Sequence, residues 1–316
     1  MNLISQVSIA PSWLWLTFSI GIIVLLIIDL SLFGKSMNKF SRKKALIESS
    51  IWISIALIFN IWFGLEYGKD LGLEFLTGYL VEKSLSVDNL FVILLIFSSF
   101  KIPEQHQHRV LFYGVLGAII LRAFFIILGA QLLNMFHWIL YIFGAILVIT
   151  AIKFLRDSDD KMEVKENWSI RLIKRFIPTT STHHGSHFFV KENGILKATP
   201  LFLALIVIEV TDLIFAVDSI PAVFAVTQDA FVAFASNILA ILGLRALYFV
   251  LADWVSKLKY LKPGLAAILG FIGIKMLIVD FFKIPSWVSV LVIISILVTA
   301  ALSSWYVAKL EEKRVH

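Results

Sequence analysis

Residues 200–226 read PLFLALIVIEVTDLIFAVDSIPAVFAV. The run is long and apolar enough to cross a bilayer. About 30 Å of hydrocarbon takes roughly 20 residues at ~1.5 Å each. It nevertheless carries Glu209, Asp212 and Asp218. Eight further runs qualify as spans, approximately 11–33, 45–66, 73–100, 110–133, 136–155, 230–252, 263–282 and 286–308. Bulk composition agrees. The 316 residues are 59% hydrophobic and 16% charged, with a mean hydropathy of +0.90. A soluble domain averages about 25% charged residues. The fold class expected is all-α, a polytopic bundle of about nine membrane helices in one transmembrane domain.

The net charge of +6 is explained by topology, with no need for nucleic acid. Lys35, Lys39, Arg42, Lys43 and Lys44 follow the first span, and Lys101 and Arg109 follow the third. A large group from Lys153 to Lys197 follows the fifth, Lys257, Lys259 and Lys262 follow the seventh, and Lys309, Lys313 and Arg314 end the chain. The intervening loops hold only Lys69 and Lys283. Basic loops stay cytoplasmic, which puts the N-terminus outside and the C-terminus inside a bacterial inner membrane. The first span lacks a basic leader and reads as a retained helix rather than a signal peptide. There is no cysteine, so thiolate metal sites and disulfides are closed to this chain. Between 156 and 199 lies the one long cytoplasmic loop. Within it, Trp168–Ile177 reads as a surface amphipathic helix or a solvated loop. His183, His184 and His187 form a short cluster without a completed ligand set.

The span around Asp212 has an internal counterpart. Asp212-Leu-Ile-Phe-Ala-Val-Asp218-Ser219 matches Glu82-Lys-Ser-Leu-Ser-Val-Asp88-Asn89 of the third span. Ile120-Leu-Arg122-Ala in the fourth span matches Gly243-Leu-Arg245-Ala in the seventh. Ala145-Ile-Leu with Ile152-Lys153 matches Ala267-Ile-Leu with Ile274-Lys275. The positive loops orient the third and sixth spans oppositely. Residues 73–155 and 200–282 are therefore expected to be inverted repeats, with the first, second and ninth helices peripheral. Such repeats around a midplane site are typical of secondary transporters.

Each acid inside a span costs roughly 2.5–3.5 kcal/mol if it faces lipid. Glu82, Asp88, Glu209, Asp212 and Asp218 must therefore face the bundle interior, and a positive charge must compensate them. Lys83, Arg122, Arg245 and Lys275 are the candidate charge-balancing residues; a bound cation is the other. With Asn89 and Ser219, the acids offer an all-oxygen set suited to a hard divalent ion such as Mn2+, Mg2+ or Ca2+. Residues six apart on a helix point about 120° away from each other. Asp218 can join Asp212 only if the helix is distorted, which Pro221 is placed to do. Asp29 reads as a lone acid solvated at the interface. The rival to a metal site is a set of salt bridges that merely locks helices together. No catalytic grouping is visible in the spans, so an enzyme is not expected.

Glu82–Asn89 and the long stretch from Thr199 to Ala222, continued by Ser236-Asn237 and Gly243-Leu-Arg245-Ala-Leu-Tyr248, resemble the TerC family of integral membrane proteins. The similarity runs from the second span to the eighth. It implies manganese efflux, or delivery of manganese to exported metalloenzymes, with Mn2+ as cargo and no resident cofactor. The family's older labels, tellurium resistance and pH-linked redox modulation, are what it implies otherwise. A non-transporting membrane scaffold or insertion factor is the rival class. The partners expected are the divalent ion and the lipid bilayer, with a homo-oligomer left open.

Overall fold

The computed structural model describes residues 8–33, 42–136, 138–156, 178–180, 185–192, 194–251 and 260–315. The elements are α1 (Ser12–Phe33), α2 (Arg42–Tyr67), α3 (Lys69–Ser99), α4 (Glu104–Met135), α5 (Ile139–Arg156), β1 (Phe189–Glu192), β2 (Ile195–Ala198), α6 (Pro200–Phe224), α7 (Ala230–Leu242), α8 (Leu244–Leu251), α9 (Leu261–Leu277) and α10 (Ser286–Val315). Among the described residues, seven segments are long and apolar enough to cross a membrane: α1, α2, α4, α5, α6, α10 and the run 230–250 made by α7 and α8. Two of the nine expected spans fall outside that measure. α3 has 31 residues but carries Lys69, Asp70, Glu74, Glu82, Lys83 and Asp88. α9 has 17 residues, just short of a full crossing.

Local chemistry sets the ends that matter. Pro200 opens α6, where its missing N–H costs nothing, after an extended Thr199. Asp229 caps α7 by accepting from Phe231 N at 2.9 Å and Val232 N at 3.0 Å. Gly243 separates α7 from α8. A Cβ there would lie 3.0 Å from both Trp52 of α2 and Lys83 of α3. α7 is buried along its whole length, as expected of a helix apolar on every side.

Small residues let the helices approach closely, and their contacts fix relative directions. Gly78 faces Ser236, and further along Lys83 reaches the Ala240 carbonyl, so α3 and α7 run parallel. Gly114 faces Ile208 and Gly129 faces Phe224, so α4 and α6 also run parallel. Gly144 meets Gly273 and Leu277 while Ala151 meets Gly270, so α5 and α9 run antiparallel. Those contacts sit at 3.1 Å from a Gly144 Cβ to the Gly273 carbonyl and 2.9 Å in the reverse sense, leaving no room for a side chain.

The 156–199 stretch is not all loop. β1 and β2 form an antiparallel hairpin with Phe189 opposite Ala198. Gly194 takes the left-handed φ of +83° that the turn requires. Trp168–Ile177, His183 and His184 lie outside the described residues.

Candidate metal centre

Arg122 is the hub. It lies on α4, its side chain 1% exposed. Its Nη1 donates to Glu82 Oε1 on α3, and at 3.3 Å to Ser219 Oγ on α6 and Asn237 Oδ1 on α7. Its Nη2 donates to Asp212 Oδ1 at 2.9 Å and its Nε to Asp212 Oδ2 at 3.3 Å, a two-pronged grip on one carboxylate. Asn237 Nδ2 closes the ring by donating to Glu82 Oε2 at 2.9 Å. Four helices thus meet on one guanidinium.

Helical period explains the membership. Ser219 is seven residues after Asp212 and shares its face, whereas Asp218 is turned about 120° away. α6 stays one helix through Pro221 and ends at Phe224. The expected distortion does not turn Asp218 inward. Asp218 instead accepts a hydrogen bond from Thr150 of α5 at 2.8 Å. Asn89 is seven residues after Glu82, and it lines a cavity of about 40 Å3 beside Arg122, Thr211 and Asp212. A single water needs roughly 10–15 Å3, so the space admits a few waters or a partly dehydrated ion. The Asp88 side chain lies outside the described residues. Glu209, one turn before Asp212, packs its carboxylate into the space where a Cβ at Gly117 would stand.

The other expected counter-charges lie elsewhere. Arg245 holds Asp29 of α1 at 2.6 Å and Glu48 of α2 at 3.0 Å. Asp29 is therefore a buried ion-pair partner and not a solvated interfacial acid; it had no visible partner in the sequence because that partner is 216 residues away. Lys83 donates to the Ala240 carbonyl at 3.0 Å. Lys275 donates to Ser289 at 3.0 Å, beside a separate cavity of about 410 Å3 that also holds Glu74 and Asp229. Sequence reasoning did not assign Asn237 a role, although it stood inside the motif that carried the resemblance. Among the described residues, no three His, Asp or Glu side chains are placed to hold a metal ion together. The acids that converge are closed by an arginine.

A helical membrane bundle whose charged helix faces meet inside it is an integral membrane protein by construction. The profile of the integral membrane protein TerC family matches residues 67–312, and the chain belongs to that family. An uncharacterized membrane protein of Myxococcus xanthus is 46% identical over 297 residues, covering 94% of this chain and 93% of its own. A relative in Escherichia coli K12, named Alx and provisionally described as a membrane-bound redox modulator, is 47% identical over 302 residues, covering 92% and 94%. Its namesake in Photorhabdus laumondii is 47% identical over 308 residues, covering 94% and 96%. No solved structure matches the chain.

Proposed function

We propose that this protein is a secondary transporter that exports a divalent metal ion, Mn2+ foremost, through the Glu82–Asp212 site, with Arg122 as a built-in stand-in for the ion. One observation carries the reading. Glu82 and Asp212 occupy matching positions in the two internally similar segments, and both converge on the same buried arginine. The relative helix directions are those that an inverted repeat of α3–α5 and α6–α9 requires. Such a repeat lets one site open to each side in turn.

Charge supports a divalent cargo. Glu82, Asp212 and Glu209 bring three negative charges against one from Arg122, leaving two for the ion to match. Carboxylates, Asn89 and Ser219 are hard oxygen donors, and the chain offers no thiolate. When the ion enters, Arg122 must release the acids; when it leaves, Arg122 re-engages, so the return step carries no bare buried charge. Asp218, held by Thr150 of α5, then lines the route rather than the resting site. With basic loops cytoplasmic, the N-terminus lies outside and the ion is delivered where exported metalloenzymes fold. The redox name of the relatives finds no thiol here on which to act.

The test is radioactive Mn2+ uptake into proteoliposomes. Wild-type protein should carry Mn2+ in preference to Mg2+, and Glu82→Gln and Asp212→Asn should each lose it while remaining monodisperse. Undiminished uptake in both variants, or none in wild type, would falsify the reading.

A further inference from the structure

Arg245 occupies the position in the second repeat that Arg122 holds in the first, and it too gathers two carboxylates from two helices. Its cluster differs in one respect. Arg122 uses Nε, Nη1 and Nη2. Arg245 receives both Asp29 Oδ1 and Glu48 Oε1 on Nη2 alone, at 2.6 and 3.0 Å. Its Nε and Nη1 are buried with no hydrogen-bond partner among the described residues. The three side chains are 7%, 2% and 3% exposed for Asp29, Glu48 and Arg245.

Two carboxylate oxygens that accept from one nitrogen are held within a few ångström of each other. Two ionised carboxylates that close repel each other, and one proton taken up between them relieves the repulsion. One proton also makes the cluster neutral, which a buried site favours. Lys83 of α3 is committed to the Ala240 carbonyl, and Lys44, one turn before Glu48 on α2, is exposed. Both acids precede residue 67, where the family match begins, so that match assigns them nothing.

We propose that Asp29 and Glu48 form a proton-binding dyad on Arg245, and that this dyad carries the proton exchanged for the metal ion. Coupling rests on the transport reading above; the proton site does not. The connection is short. Leu244, adjacent to Arg245, lines the cavity beside Arg122, and the helix breaks at Gly243 just before it. Disengagement of the unsaturated guanidinium leaves the dyad to take a second proton, and its return expels one. Asp29 is near the end of α1 and Glu48 near the start of α2, the ends joined by the basic sequence 35–44, so release is to the cytoplasm.

The experiment has two readouts on wild type, Asp29→Asn and Glu48→Gln. Each variant keeps one carboxylate paired with Arg245, so both are expected to fold. Infrared difference spectroscopy across a pH titration should show the carbonyl stretch of a protonated carboxyl group in wild type, and that band should be lost in both variants. In proteoliposomes, an imposed pH gradient should stimulate wild-type Mn2+ flux, and the stimulation should vanish in both variants while Mn2+ binding in detergent is kept. A band that survives in both variants overturns the proton site. A lost band with intact pH-gradient stimulation overturns the coupling. Absence of Mn2+ flux in wild type with the band present sinks the transport reading and leaves the dyad standing.

Discussion

Replacing Arg122 with alanine separates a stand-in for an ion from an ordinary structural salt bridge. The guanidinium bonds to Glu82, Asp212, Ser219 and Asn237. Removing it leaves two acids facing each other, Glu82 with no exposure at all. Breaking a buried pair in this way costs about 3–5 kcal/mol. Either interpretation expects that loss. They differ in what restores it. If the acids hold a divalent ion, Mn2+ no longer competes with Arg122, and at about 100 times its Kd it returns ~2.7 kcal/mol. Most of the lost stability should therefore come back with Mn2+, and the variant should respond to Mn2+ more strongly than wild type. The assay is thermal unfolding in detergent, followed by loss of monodisperse protein, with and without Mn2+, using choline chloride as the ionic control. Adding Glu82→Gln and Asp212→Asn to Arg122→Ala should recover stability without metal and abolish the response. An Arg122→Ala protein that is destabilised but indifferent to Mn2+ would refute the ion-stand-in mechanism.

Two further outcomes are expected. Gly117→Ala places a methyl group where the Glu209 carboxylate sits; the clash costs about 1–3 kcal/mol and should lower Mn2+ uptake about tenfold or more, as measured by initial rates at constant membrane abundance. Reporters fused after Leu133 and after Asp160 should read outside and cytoplasmic respectively, following the Lys and Arg distribution; the same signal at both points would overturn the topology.

Much of this was visible in the sequence. The apolar run 11–33 is α1 to within a residue, and the acids that a bilayer will not tolerate pointed directly at the interior. Arg122 was legible as a counter-charge because it recurs beside the acidic motif in the repeat. Its twin Arg245 looked equivalent and is not, since a one-dimensional repeat gives the helix position but not the neighbour. Arg245 meets α1 and α2, which lie outside the two matching stretches of sequence. Helical period alone separated Ser219 from Asp218; trusting it over Pro221 would have placed both. Asn237 was silent because an amide in an apolar helix carries no charge penalty to flag it, only a hydrogen-bond requirement that appears once partners are known. The hairpin at 189–198 was missed because strands of four residues are too short to show a period of two against a polar background.

The charge carried by α3 bears on how the protein is made. A segment with six ionisable residues partitions poorly from the translocon into lipid, at roughly 2.5–3.5 kcal/mol for each charge near the centre. α4 follows after a turn of a few residues and brings Arg122 to Glu82. The two helices are therefore expected to enter the bilayer as a hairpin rather than singly, with Arg122 compensating Glu82. Asn237, which completes the coordination of Glu82, emerges 155 residues later. Until the stretch from 200 onward is made, the polar core around Glu82 lacks Asp212, Ser219 and Asn237 and stays incomplete.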